Sequence, residues 1–196
     1  IGSTTVCSGV PLNISLSGIG GTPGYTFNWS SNDNGNTTGE SIGAVTTSVI
    51  SNTVTSTSTI PELLNYNVTI TDINGCIANQ IINVTIDPSP VMVSSPGFSV
   101  CSSTAMSFGL SSNIASTFSW LAADNTNTTG ESTTPQSTAS ISDMVLNLTA
   151  GVEPISYTVT PTSIAGSCIG GSQTVIANIN PLPTVTISAS INPICF

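Results

Sequence analysis

Apolar and polar residues alternate along this chain with a period of two. Leu12, Ile14 and Leu16 are spaced by Asn13 and Ser15, and Tyr25, Phe27 and Trp29 follow the same rule. Tyr66, Val68 and Ile70 form a third case, and Ile82, Val84 and Ile86 a fourth. The signal returns in Met106, Phe108 and Leu110, in Phe118 and Trp120, in Tyr157 and Val159, and from Val175 to Ile179. Each predicts a strand with one buried face. Between them lie a glycine-rich stretch, 18–24, and the pairs Asn34-Gly35 and Asn74-Gly75, which suit tight hairpin turns because both residues tolerate positive φ. Helical spacing is confined to 60–64 and 144–146, read as a short turn or single helical turn leading into the tyrosine strand. About seven short strands per unit predict an all-β chain of tandem β-sandwiches.

The pattern is written twice and begins a third time. Cys7, Cys101 and Cys195 are spaced by 94 residues each. Between them Phe27-Asn28-Trp29 returns as Phe118-Ser119-Trp120, and Asn36-Thr37-Thr38-Gly39-Glu40-Ser41 returns intact as Asn127-Thr128-Thr129-Gly130-Glu131-Ser132. Cys76 returns as Cys168, and Asp87-Pro88-Ser89-Pro90 as Asn180-Pro181-Leu182-Pro183. A period this long is a whole domain rather than a solenoid turn. The expected units are 1–89, 90–182, and a linker with the first strand of a third unit over 183–196, where Val185 to Ile187 open that strand. Proline stiffens each joint. With strands of this length each sandwich should span roughly 35–45 Å and the pair about 80 Å.

Composition narrows the function. Charged residues are 5% of the chain, where about 25% is usual. There is no lysine, arginine or histidine, and the net charge is −9. Nucleic-acid binding and attraction to anionic membranes both need cations, so both are excluded. A Lys–Asn crosslink is impossible and trypsin has no site, which fits an exposed, protease-resistant surface. No apolar run is long enough to span a membrane, and the opening Ile1-Gly2-Ser3-Thr4 lacks the marks of a signal peptide, so an export signal is expected outside this stretch. Periodic cysteines point to disulfides and an extracellular, cell-surface setting.

Pairing Cys7 with Cys76 and Cys101 with Cys168, within each unit, accounts for the odd cysteine count, leaving Cys195 with a partner outside the chain. Such a bridge is expected to contribute roughly 3–5 kcal/mol. In a simple sandwich, however, the two cysteines of a unit lie at opposite ends, so a bridge between neighbouring units, Cys7 to Cys168, is the alternative. Without histidine or a Cys-x-x-Cys spacing no zinc site is expected. Trp29 and Trp120 are read as core plugs, with Tyr66 and Tyr157 on the facing sheet. Asp33, Asn36 and Glu40, with Asp124, Asn127 and Glu131 at a constant offset, are candidates for calcium, which takes hard oxygen ligands. The simpler reading is a polar turn, and no cofactor is expected. The scattered acids form no recurring glycosidase pair, and no serine has an evident base, so the chain is not expected to be an enzyme. Several Asn-x-Ser/Thr sequons occur, among them those at Asn36, Asn127 and Asn147, and are weak glycosylation signals. The run Thr46 to Thr59 reads as edge strands without the lysines that block edge pairing, so lateral self-association into fibres is expected.

Val6-Cys7-Ser8-Gly9, an aromatic-x-Trp strand, the Thr-Gly turn, Tyr-x-Val-Thr, Gly75-Cys76 and the closing Asp-Pro-x-Pro together resemble the PKD-like repeats of giant Bacteroidota surface proteins, a family that includes gliding-motility adhesins. The second unit departs from the pattern with Ser102-Ser103 and an inserted Ser167. The Trp-Asp-Phe-Gly-Asp-Gly signature of other PKD domains is absent. The resemblance implies tandem Ig-like sandwiches in a non-catalytic filament or adhesin, exported by the type IX route, with neighbouring repeats and surface glycans as partners. The alternative is a spacer or carbohydrate-binding module of a large secreted glycoside hydrolase.

Overall fold

The computed structural model describes residues 3–188; Cys195 lies outside them. The first repeat contains β1 (Ser3–Cys7), β2 (Ile14–Ser15), β3 (Thr26–Ser31), β4 (Thr37–Thr38), β5 (Val49–Ile50), β6 (Thr55–Ser56), β7 (Glu62–Thr71) and β8 (Ile77–Asp87). The second copies it with β9 (Gly97–Cys101), β10 (Phe108–Gly109), β11 (Ser116–Ala122), β12 (Thr128–Thr129), β13 (Ser140–Ile141), β14 (Leu146–Asn147), β15 (Glu153–Ser163) and β16 (Gln173–Asn180). Each repeat has one four-stranded sheet, in the orders β1-β8-β7-β3 and β11-β15-β16-β9. The opposing layer is built from two-residue ladders, β2–β5 with β4–β6 and β10–β13 with β12–β14. The chain is thus all-β, two Ig-like sandwiches in series.

The first and last strands of each large sheet run parallel, which sets Cys7 opposite Asp87 and Cys101 opposite Asn180. All the other ladders are antiparallel. Each repeat buries its own core. Leu12, Trp29, Ile50, Leu64, Tyr66 and Val84 fill the first, and Met106, Trp120, Ile141, Ile155, Tyr157 and Val175 the second.

Four sequence expectations change. The Thr46–Thr59 run is not a continuous edge, because β5 and β6 pair in different ladders and Ile50 and Val54 turn into the core. The segments 60–64 and 144–146 form no helical turn. Glu62 already opens β7, and the Ser58 hydroxyl bends the chain before it by accepting from the Ile60 amide at 3.1 Å. At the Asn74-Gly75 turn only Gly75 adopts positive φ, and the Asp72 carboxylate shapes the turn by accepting from the Asn74, Cys76 and Thr22 amides. Val185 to Ile187 form no strand; their counterparts 91–93 pair with 111–113, and the described residues offer the later segment no such partner.

The tyrosines, too, sit differently from expectation. Trp29 on β3 and Tyr66 on β7 belong to adjacent strands of one sheet, since Trp29 pairs with Val68 and Tyr66 is its diagonal neighbour. Their ring centroids are 5.9 Å apart, and those of Trp120 and Tyr157 are 5.7 Å apart. Each tyrosine hydroxyl is engaged across the sandwich. Tyr66 donates to Asn52 Oδ1 at 3.0 Å, whereas Tyr157 donates to Asp143 Oδ2 at 2.9 Å. Asp143 is itself buried and accepts two further bonds from the Ser132 amide and hydroxyl. Burial, reinforced by the charge of Glu40, pushes the Tyr66 hydroxyl up to about 12. Burial, then the bond to Asp143, pushes Tyr157 higher still.

Because both folded values lie above the unfolded one of about 10, the neutral hydroxyls contribute stability that is full below pH ~10 and declines as pH rises through the folded values. In spectrophotometric titration, tyrosinate from Tyr66 should emerge near pH 12 and from Tyr157 only with unfolding, with urea midpoints falling above pH ~10. Midpoints unchanged up to pH ~12 would contradict this account of the two hydroxyls.

Candidate functional site

The feature that unites the two repeats is their joint. β1 and β8 end together at the exit of the first repeat, and the β15–β16 hairpin turns at the entrance of the second. The structure bonds Cys7 to Cys168 across that boundary, at a sequence separation of 161 and with Cα atoms 5.5 Å apart. The pairings within each repeat, Cys7 with Cys76 and Cys101 with Cys168, are therefore overturned. Cys76 precedes β8 and Cys7 faces its last residue, so the eleven residues of β8 separate them. That is roughly 35 Å of strand, far beyond the Cα separation of about 4.4–6.8 Å a disulfide tolerates. Cys76 and Cys101 are free and exposed.

Local chemistry prepares the second repeat for this contact. Gly166 and Ser167 both take positive φ, at 79° and 53°, so the inserted Ser167 widens the hairpin. The Ser163 hydroxyl then accepts from the Cys168 amide at 2.9 Å, and Cys168 is fully buried. Two glycines admit the first repeat. A Cβ on Gly166 would lie 2.2 Å from Asp87 Oδ2, and one on Gly170 would lie 2.0 Å from the Pro90 carbonyl oxygen. Thr59, Pro61 and Pro88 face Ile114, Ala115 and Ile164 across an apolar cleft. The linker leaves little slack. Ser89 Oγ donates to the Ser8 carbonyl, while Val91 and Val93 donate to Asn113 Oδ1 and the Ser111 carbonyl. In the chain-entropy model, closing so long a loop stabilises by roughly 5 kcal/mol.

The calcium candidates differ in their surroundings. Asp33 and Asp124 are exposed. Asn36 Nδ2 donates to Glu62 and Asn127 Nδ2 to Glu153. Glu40 accepts from the Thr37 hydroxyl at 2.7 Å, and Glu131 from Thr128 at 2.9 Å. The second oxygen of each of these glutamates is enclosed without a hydrogen-bond partner. Among the described residues no three acids, cysteines or histidines gather as metal ligands would. The glycine of the repeated word lies close against a facing backbone carbonyl in both repeats. Gly39 and Gly130 sit at φ 94° and 99°, and a Cβ there would meet the Thr53 and Met144 carbonyl oxygens at 2.1 and 2.4 Å. Asn147 is buried and donates to the Gly151 and Ile179 carbonyls, so its sequon is closed to a glycan.

The family described as PKD-like domain matches the sequence twice, over residues 4–90 and 98–183. No curated protein matches the chain. Among solved structures, the chain is similar to an I-band fragment of titin at 13% identity and TM-score 0.36, over 92% of this chain and 62% of that one. A mouse Cadherin-23 fragment is similar at 14% identity and TM-score 0.37, over 92% and 63%. A Bacteroides ovatus protein of a mixed-linkage glucan utilization locus, in complex with a mixed-linkage heptasaccharide, is similar at 12% identity and TM-score 0.31, over 91% and 42%. The chain thus spans less than two thirds of these fragments.

Two adjacent glycines test the joint. Gly170→Ala should lower stability by about 1–3 kcal/mol in urea denaturation and speed reduction of the Cys7–Cys168 bond by dithiothreitol. Gly171→Ala, whose Cβ would meet nothing within 4 Å, should do neither. Equal behaviour of the two variants would sink the close-approach account.

Proposed function

Given that this chain belongs to the PKD-like domain family across both repeats, we propose that it is a non-catalytic structural segment of an extracellular surface filament or adhesin. In this reading it is a stapled rod serving adhesion or gliding, with export by the type IX route. The observation that carries the reading is the Cys7–Cys168 bond, which joins two whole domains rather than reinforcing one. The absence of basic residues supports it, since a filament exposed to proteases then offers no cut after lysine or arginine. Neighbouring rods associate laterally in this proposal through uncharged sheet faces such as Thr26, Asn28, Thr69 and Thr71, and surface glycans are the contacted ligand.

Tension applied to the ends takes a short route through such a rod. It enters along β1, crosses from Cys7 to Cys168, and leaves along β16. Residues 8–167, most of both cores, hang off this route and carry none of the pull.

Single-molecule stretching between the termini tests the idea. The oxidised chain should withhold residues 8–167, roughly 550 Å of contour, and release them only after a reductant is added. If the oxidised chain already releases the full contour, the proposed mechanical role fails.

A further inference from the structure

Among the described residues, the two free cysteines, Cys76 and Cys101, are the unmatched halves of the same joint. Cys101 occupies in the second repeat the place that Cys7 holds in the first. Each ends a parallel strand, opposite Asn180 and Asp87 respectively. In each case the next residue donates its amide to that opposite carbonyl, Ser102 to Asn180 and Ser8 to Asp87, both at 2.8 Å. The residue after that takes positive φ, 61° at Ser103 and 82° at Gly9. Cys76 likewise stands where Cys168 stands. It follows the positive-φ Gly75, the counterpart of Gly166, and its amide is held by Asp72 as that of Cys168 is held by Ser163.

What differs is occupancy. Asp87 sits over Gly166, whereas nothing lies within 4 Å of the Cβ direction of Gly75. Cys168 is fully buried under the first repeat, and Cys76 is exposed. Asp87 is buried by the neighbour, and its counterpart Asn180 is only half-buried. Each outer end of the pair therefore presents one side of an interface whose assembled form is visible between the repeats.

We propose that Cys101 is a disulfide site for the late-hairpin cysteine of a following PKD-like repeat, and Cys76 for the first-strand cysteine of a preceding one. Every joint is then bridged from one repeat to the next and no repeat is bridged within itself. The inference rests on the array reading, and the cysteine at position 195, 94 residues after Cys101, supplies the first-strand cysteine of the unit after. Each bond forms by thiol–disulfide exchange. One thiolate attacks the oxidant's disulfide, the second displaces it from the mixed disulfide, and two electrons and two protons leave with the oxidant as two thiols. Glutathione disulfide serves as that oxidant in the test.

The experiment extends the chain by replacing Phe196 with a second copy of residues 102–183, which completes a third repeat behind the native joint. With Ile169→Val in the appended copy to mark its peptide by mass, refolding with glutathione disulfide, alkylation and pepsin digestion should give linked peptides that join Cys7 to the unmarked Cys168 and Cys101 to the marked one, with Cys76 and Cys195 alkylated. A bond between Cys195 and the appended Cys168 would overturn the proposal. The native chain carrying Cys195→Ser gives a second readout that needs no appended unit. Concentrated and oxidised, it should form oligomers linked head to tail, with Cys101–Cys76 peptides in at least tenfold excess over symmetric Cys76–Cys76 and Cys101–Cys101 peptides. Comparable amounts of the three, or Cys101 left alkylated in both preparations, would also overturn it. None of these outcomes alters the stretching curve of the two-repeat chain, so failure here is separable from failure of the filament reading.

Discussion

The parallel pairing of first and last strands governs this molecule. If β1 ran antiparallel to β8, Cys7 would sit at the entrance of its own repeat, beside Cys76, and an internal staple would be natural. Running parallel, β1 delivers Cys7 to the exit, where Asp87 also ends and the proline-bound linker begins. The antiparallel β7–β8 and β15–β16 hairpins put the second cysteine of each repeat at the entrance. Exit cysteine and entrance cysteine can then meet only across a boundary. The strand direction of one edge thereby decides whether a cysteine stabilises a domain or a chain of domains.

Much of the fold could be read from residue order because alternation is a local signal. The inward row Phe27, Trp29 on β3 and the row Leu64, Tyr66, Val68 on β7 need nothing beyond a period of two. The disulfide partner needed a strand direction, which no local pattern encodes. The same limit applies to Trp29 and Tyr66, which share a sheet, since alternation tells inside from outside and not which layer. At 60–64 a spacing that suits a helical turn lost to the ladder between β7 and β8, whose ten paired positions outweigh a short local preference. The glycines that admit the neighbouring repeat carried a faint signal. Gly75 and Gly166 recur for the hairpin's sake, but Gly170 replaces Ala78 only where Pro90 presses close.

A chain without cations must quiet its carboxylates with neutral donors, and the pattern here is consistent. The Asn34 amide leads the partners that hold Glu62 below the usual carboxylate range, and the Asn127 amide leads those of Glu153. Asp72 is held low by backbone donors, the Thr22 amide first. Asparagine is abundant around these acids because it supplies the hydrogen-bond donors that lysine and arginine supply elsewhere. The repeated Asn-Thr-Thr-Gly-Glu-Ser word belongs to the same scheme, with threonine hydroxyls serving glutamate and a left-handed glycine closing the turn.

Cys7 and Cys168 also close a covalent ring. A polypeptide is ordinarily severed by one broken bond. Within this ring, two connected routes run from one end of the molecule to the other, the peptide backbone and the sulfur bridge. A single cut anywhere from residue 8 to residue 167 therefore opens the ring without parting the ends. Damage to one exposed loop becomes a local wound, and the thread stays whole until a second bond is lost.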